Sequence, residues 1–170
     1  LQARLDATTI LVTHDPVEAA LLADEILVLA DGKVLQCGTA RALFRRPASA
    51  HVARLLGAQN LAVGHVVGPR RIDIGAGVIV TTGGPDLVPG QKVGWSIAAS
   101  HARLGPDSPC CGTVLAVQPL GGTFELTVRA GGSRVVLSDG VGACSPGDTV
   151  RFAIDPDFIQ VWPYDEAAGE

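Results

Sequence analysis

The sequence predicts an α+β fold that is mostly β: an α/β segment in residues 1–60, a small β-barrel in residues 61–164 and a polar tail in residues 165–170. Composition is the first reason, since Gly and Pro account for 5 of the first 60 residues and 27 of the other 110. Few Gly and Pro favour helices, whereas short apolar runs between many Gly and Pro favour strands and turns. An internal repeat within the Gly-rich part is the second reason, because two similar β units can close into a barrel.

Charge and hydropathy narrow the class of protein. The 170 residues include 13 Lys and Arg against 17 Asp and Glu, a net charge of −4. A nucleic-acid binder would normally be basic, so this class is disfavoured. No apolar run reaches the roughly 18 residues that span a membrane. The sequence holds no Met, not even at position 1, and we therefore expect a part of a longer protein.

One histidine stands between a predicted strand and a predicted helix. Residues 8–13 form a β-branched apolar run without alternation, which predicts a buried strand. A helix should follow, because Asp15 suits the N-cap, Pro16 the first helical position and Glu18 the position three residues after the cap. His14 then lies at the carboxyl end of the strand, where open α/β sheets bind ligands. Its ring suits an anion or a reacting phosphate, although a simple hydrogen bond to a neighbouring loop is the alternative.

The rest of the front segment predicts a hairpin and two helices. Residues 25–30 and 33–38 are predicted to form antiparallel strands, because Asp31-Gly32 between them is a strong two-residue turn signal. Each following helix should begin at a hydroxyl N-cap. The predicted pairs are Thr39 with a helix through Phe44, and Ser49 with a helix to about Leu56.

The repeat in the rear part consists of three pairs of matching segments. They are residues 64–66 with 112–114, 88–93 with 145–150, and 95–98 with 152–155. The offset is 48 for the first pair and 57 for the other two, so the second copy has nine more residues in its middle. Each copy predicts strand, turn, strand, Pro-Gly turn, strand. Two such units closing on each other would form a small OB-like barrel without free edges.

An ordered series of motifs resembles the last third of an ABC transporter ATPase subunit. The series is Thr-Ile-Leu-Val-Thr-His-Asp-Pro-Val-Glu-Ala at 9–19, Ala-Asp-Glu-Ile at 23–26, Asp-Gly-Lys-Val at 31–34, Gln-Cys-Gly-Thr at 36–39, Leu-Phe at 43–44, Pro-Ala at 47–48, Val-Ala-Arg-Leu-Leu-Gly at 52–57 and Asn60. It is most similar to importer subunits for sulfate, molybdate, iron, polyamines and sugars, which carry a barrel called TOBE. In that family a switch histidine of the Thr-His-Asp motif contacts the γ-phosphate of ATP, and His14 matches it.

The resemblance also implies cofactors, partners and a location. These are ATP and Mg²⁺ in the full-length parent, a second copy of the ATPase subunit forming a homodimer, permease subunits, and a cytoplasmic place at the inner face of the cell membrane. The phosphate loop, the Leu-Ser-Gly-Gly-Gln signature and the strand ending in Asp-Glu do not occur in this sequence. Phosphoryl transfer needs a phosphate cradle, bound Mg²⁺ and a positioned water. We therefore expect a C-terminal fragment that is inactive and holds no cofactor by itself, with an exposed sheet edge in its front segment.

Residues 61–163 resemble the TOBE domain, which implies a regulatory and dimerisation barrel. Gly-Thr-Val at 112–114, Leu-Gly-Gly at 120–122 and the Pro-Gly turns carry this resemblance. The family often has Arg-Pro-Glu where this chain has Ser-Ile-Ala at 96–98, and that departure puts the associated subunit contacts in doubt. The alternative function is a stand-alone module that binds an oxyanion such as molybdate, or a regulatory protein, without catalysis. The Thr-x-x-Ser pattern of small molybdate-binding relatives is absent.

The remaining Cys, His and Trp residues are predicted to have structural roles and not binding or catalytic ones. The four Cys have no zinc spacing and predict reduced thiols: Cys37, Cys110, Cys111 and Cys144. Three scattered histidines predict surface groups: His51, His65 and His101. Trp95 and Trp162 fall on the last strand of each repeat and should fill the barrel or cover its end.

Overall fold

The computed structural model describes residues 8–75, 78–139 and 144–164, and two curled five-stranded antiparallel sheets contain most of its strands. The helices are α1 (Pro16–Leu22), α2 (Ala40–Arg45) and α3 (Ala50–Leu55), with a 3₁₀ helix at Ala99–His101. The strands are β1 (Ile26–Ala30), β2 (Lys33–Gly38), β3 (Asn60–Gly68), β4 (Arg71–Asp73), β5 (Ile79–Thr81), β6 (Lys92–Ile97), β7 (Ala102–Leu104), β8 (Cys110–Leu120), β9 (Thr123–Ala130), β10 (Ser133–Asp139), β11 (Thr149–Ile154) and β12 (Gln160–Pro163). The predicted α+β, mostly β fold is confirmed. Among the described residues, no helix is long and apolar enough to cross a bilayer.

The three α-helices begin at the predicted residues because their N-caps are satisfied. The Asp15 carboxylate accepts the N–H groups of Val17 and Glu18 at 2.8 and 3.2 Å. The hydroxyl groups of Thr39 and Ser49 accept N–H groups in the first turns of α2 and α3. Each cap satisfies donors that a helix leaves free at its start, which fixes the starting residue.

The predicted hairpin is also confirmed, and it supports a small core. Asp31 and Gly32 have φ values of 50° and 71°, the left-handed pair that a two-residue turn of type I′ requires. The hairpin packs under α2 and α3 through the buried side chains of Val28, Leu43 and Val52. Residues 8–57, which contain this core, are called the front unit below.

The predicted strand over residues 8–13 is wrong. These residues are not in strand conformation, and the side chains of Ile10 and Val12 are 88% and 91% exposed. No strand in the part of the chain that the structure describes lies beside them. An isolated strand leaves its backbone N–H and C=O groups without partners, so an apolar β-branched run does not suffice to form one.

The remaining strands form one β unit, residues 60–164, in which the two repeats exchange strands. One sheet has the order β12-β6-β3-β4-β5 and the other the order β10-β9-β8-β11-β7. Strand β7 follows β6 along the chain but pairs with β11 of the other sheet. Strand β12 follows β11 and pairs with β6 in return. Each repeat therefore completes the sheet of the other.

Strand registers confirm the internal repeat. Gly64 pairs with Val93 in the first repeat, and Gly112 pairs with Val150 in the second, which preserves the offsets of 48 and 57. The exchanged strands keep the offset of 57 as well: Trp95 of β6 pairs with Val161 of β12, and Phe152 of β11 pairs with Leu104 of β7. The extra residues of the second copy lengthen its hairpin: β9 has 8 residues where β4 has 3.

The core of the β unit lies between the two sheets. Trp95 and Phe152 occupy matching positions in the two repeats, and both are fully buried. Trp162 is 8% exposed and lies at the side of the β unit that faces the front unit. Both Trp95 and Trp162 are therefore buried, which agrees with the expectation that they fill the barrel or cover its end.

Candidate functional site

His14 lies in a loop and not at the carboxyl end of a strand as predicted, because residues 8–13 form no strand. Hydrogen bonds hold the residues on both sides of it. The Thr13 hydroxyl donates to Glu18 Oε2 at 2.6 Å and accepts the N–H of Asp15 at 3.1 Å. The Asp15 carboxylate in turn caps α1. The predicted capping box is thus closed through the Thr13 hydroxyl, and the backbone on both sides of His14 is fixed.

The His14 side chain itself is exposed and available. Its ring has no hydrogen-bond partner in residues 8–75, 78–139 and 144–164. A neutral imidazole offers one N–H donor and one acceptor, and a protonated one offers two donors. An exposed donor on a fixed loop is suited to contact a phosphate oxygen that arrives from outside this chain.

Exposed apolar side chains are concentrated in the front unit. Seventeen large apolar residues are exposed in the described chain, and eleven of them precede residue 60. They include Val17, Leu21 and Leu22 of α1, and Leu27 and Leu29 of β1. Exposed apolar surface on this scale marks a region that contacts other protein. The expected exposed sheet edge concerns backbone groups, and in the described residues β1 and β2 pair only with each other.

The loop at residues 46–48 connects the front unit to the β unit, and one side chain from each unit holds it. The Gln36 amide donates to Arg46 O at 3.0 Å and accepts the N–H of Ala48 at 2.8 Å. The indole N–H of Trp162 donates to Pro47 O at 2.9 Å. Three consecutive residues are therefore held from both sides. A cleft of about 640 Å³ opens beside this loop, lined partly by Leu35, His51, Trp162 and Tyr164.

The other candidate residues have structural surroundings. All four Cys are free thiols, and burial raises the pKa of the Cys110 thiol, which keeps it protonated and unreactive. His65 is exposed as expected, but His51 is half-buried in the cleft wall and His101 stacks on Phe158 with ring centroids 3.6 Å apart. Within the described ranges, no three His, Cys, Asp or Glu side chains are grouped to hold a metal ion.

Sequence patterns did not indicate the roles of Asn60 and Gln36. The Asn60 amide is 1% exposed, donates to Val136 O at 2.8 Å and accepts the Val136 N–H at 2.6 Å. Both Asn60 and Gln36 belong to the motif series, but their partners are distant in sequence. The Asn60 pair forms because the two sheets pack together, and the Gln36 contacts form because the loop after α2 folds back onto β2.

The chain is similar to ATP-binding subunits of import systems. It is 34% identical over 157 residues to an uncharacterized ABC transporter ATP-binding protein of Sinorhizobium fredii, covering 88% of this chain and 42% of that protein. It is 37% identical over 140 residues to the sn-glycerol-3-phosphate import ATP-binding protein UgpC 3 of Rhizobium johnstonii, covering 81% and 39%. Other relatives are named for import of Fe(3+) ions and of spermidine/putrescine. The chain spans about two fifths of the length of these first two relatives.

Among solved structures, the molybdate-binding protein ModG has a TM-score of 0.54 and 18% identity. The likeness covers 62% of this chain and 96% of ModG. At this identity it shows the fold alone, and it assigns an OB-like, TOBE-type fold to the β unit. No protein-family model matches the chain.

The Thr-His-Asp segment and the hairpin follow one another here in the order of the motif series, and the β unit comes after them. Most of these relatives are named import ATP-binding proteins, and their similarity to this chain lies in the C-terminal part of their own chains. The chain belongs to the family of ABC importer ATP-binding subunits and corresponds to their C-terminal part.

Proposed function

We propose that the complete subunit containing this chain binds ATP and Mg²⁺ and couples ATP hydrolysis to the uptake of a solute. The observation that carries this proposal is His14: an exposed imidazole on a loop that Thr13 and Asp15 hold in place. Its N–H would contact the γ-phosphate and detect its departure. Such a donor stabilises charge best when its position is set before the reaction.

The remaining parts of the reaction lie outside this sequence. A phosphate loop and the carboxylates that hold Mg²⁺ and position water do not occur in it. The residues from 8 to 57 would then supply the switch and an apolar face for the rest of the ATPase domain. The proposed role of this chain alone is therefore contact and control, without turnover.

The β unit is proposed to regulate the subunit and to support a homodimer. The complete subunit would lie in the cytoplasm against the inner face of the membrane, held there by permease subunits. We assign no particular solute, because the relatives are named for import of solutes as different as sn-glycerol-3-phosphate and Fe(3+) ions. An oxyanion at the β unit is supported only by the likeness to ModG, and a shared fold does not imply a shared ligand.

The test is His14→Ala in the complete subunit assembled with its permease. We expect ATP turnover to fall by about 100-fold, because one preorganised donor to a charged group contributes roughly that factor. The Kd for ATP should change by less than about threefold, since most of the binding energy comes from the phosphate loop. His65→Ala is the matched control, because His65 is exposed on the β unit. Turnover that His14→Ala leaves unchanged would refute the switch role.

A further inference from the structure

The outer face of the second sheet carries four arginines. Each lies on a different strand, next to a residue that points into the core. The buried neighbours are Val135 on β10, Val128 on β9, Phe152 on β11 and Ala102 on β7. Side chains alternate between the two faces of a strand, so all four arginines point outward. They are Arg134, Arg129, Arg151 and Arg103, and all are exposed. This set is called the arginine face below.

The strand registers bring these charges close together. Arg129 and Arg134 are direct partners across β9 and β10. Side chains in such pairs are about 5 Å apart at Cβ, and like charges there destabilise a sheet. The row continues through Thr113 and Thr149, which follow Arg129 in register. Arg151 lies two residues beyond Thr149, a step of about 7 Å along the strand.

No carboxylate neutralises the arginine face within the described part of the chain. An ion pair elsewhere in the described residues joins Arg70 Nε to Asp86 Oδ1 at 3.0 Å, and neither residue belongs to the arginine face. Arg151 Nη1 donates to Ser108 O at 2.8 Å and Arg103 Nε donates to Ser100 O at 3.2 Å, which orients both groups without removing their charge.

Two acids on or beside this sheet accept hydrogen bonds from groups other than the four arginines. Glu125 on β9 accepts from the Gln59 amide at 3.1 and 3.3 Å, and Asp148 accepts the Ser145 N–H at 2.8 Å. The whole chain has 17 acidic residues against 13 basic ones, so a basic composition does not account for this face. A pair of like charges side by side on an acidic protein is suited to a partner that supplies negative charge.

We propose that the arginine face is a docking surface for a carboxylate-rich segment of a partner protein. A guanidinium group pairs with a carboxylate through two parallel hydrogen bonds, and four such groups on one face of a sheet match a row of acidic side chains. The outward positions of β7, β9, β10 and β11 hold no aromatic residue in the described chain, so bases have nothing to stack on. They also hold no aromatic anchor of the kind that favours a membrane surface.

The test uses the whole 170-residue chain and a fluorescent peptide of ten glutamates, with binding followed by anisotropy. The double variant Arg129→Gln/Arg134→Gln should bind about tenfold more weakly than the wild type, because two charge-assisted contacts are lost. The control Arg41→Gln/Arg45→Gln removes the same charge from α2, where both side chains are also exposed, and should change Kd by less than about twofold. Affinity of the wild type should fall as salt rises from about 50 to 300 mM.

Several results would overturn this proposal. They are a wild-type chain that does not bind the peptide at about 1 mM, equal weakening in both double variants, and tighter binding to phosphatidylserine vesicles or to a ten-nucleotide single strand. The melting temperature separates lost contacts from lost folding. It should stay the same or rise in Arg129→Gln/Arg134→Gln, because the substitution relieves the repulsion across β9 and β10.

Discussion

At the scale of single residues, Asn60 is the buried polar group whose loss should matter most. It joins β3 of one sheet to β10 of the other through two hydrogen bonds with the Val136 backbone. Asn60→Ala should lower the free energy of unfolding by about 2–4 kcal/mol, since each backbone group left unpaired in the core costs about 1–3 kcal/mol. Urea denaturation followed by circular dichroism measures the change.

Gln59→Ala is the matched control for this prediction. Gln59 is the neighbouring residue and bonds Glu125 at the surface, so its loss should stay within about 0.5 kcal/mol. Equal effects of the two substitutions would show that the buried bridge contributes nothing special.

The contrast between His14 and Asn60 shows what sequence can predict at this scale. The prediction at His14 rests on a continuous motif with cap signals within five residues. The role of Asn60 has no such local signal, because its partner Val136 is 76 residues away. Hydrogen bonds over that distance depend on how the two sheets pack together, which local patterns do not specify.

At the scale of elements, the two repeats have a glycine at matching strand positions, where a neighbouring strand comes too close for a side chain. A Cβ on Gly64 would lie 2.7 Å from Ile72 Cγ2, and one on Gly112 would lie 2.7 Å from Arg129 O. Backbone cannot move aside as a side-chain tip can. Gly112→Ala should therefore cost about 1–3 kcal/mol of stability through overpacking. A thermal melt compared with that of the wild-type chain tests this value.

Gly84→Ala supplies the comparison, because a Cβ there meets no atom within 4 Å. We expect its melting temperature to stay within about 2 °C of the wild type. A Gly112→Ala chain as stable as Gly84→Ala would contradict the close approach of β8 and β9.

The elements that sequence predicted correctly are those with local causes. N-caps at Asp15, Thr39 and Ser49 and the turn at Asp31 act within a few residues, and all four formed as expected. The strand over residues 8–13 failed because pairing is not local. A run of β-branched residues favours strand conformation, but a strand forms only where another strand pairs with its backbone.

At the scale of the whole molecule, the exchange of β7 and β12 makes the two repeats one folding unit. Each sheet contains an edge strand supplied by the other repeat. The repeat was predictable from matching Pro-Gly turns, but the exchange was not, because a sequence repeat is equally compatible with two separate units. The short edge strands gave no signal of the sheet they would join.

Removing β12 tests this dependence. A chain that ends at residue 158 keeps every strand of the second sheet, β10-β9-β8-β11-β7. It loses Ile159 and Trp162, which are 6% and 8% exposed in the intact protein. Losing two such side chains costs about 2–5 kcal/mol each, and a whole domain is stable by only about 5–15 kcal/mol. We therefore expect the backbone amides of both sheets to lose protection together in hydrogen exchange. This includes β8 and β9, which pair with each other and not with β12.

A chain that ends at residue 164 keeps all twelve strands and should retain the protection of the full chain. If β8 and β9 stay protected after residues 159–170 are removed, the second sheet is stable alone. The swap of β7 and β12 between the repeats would then not be what makes the two sheets unfold together.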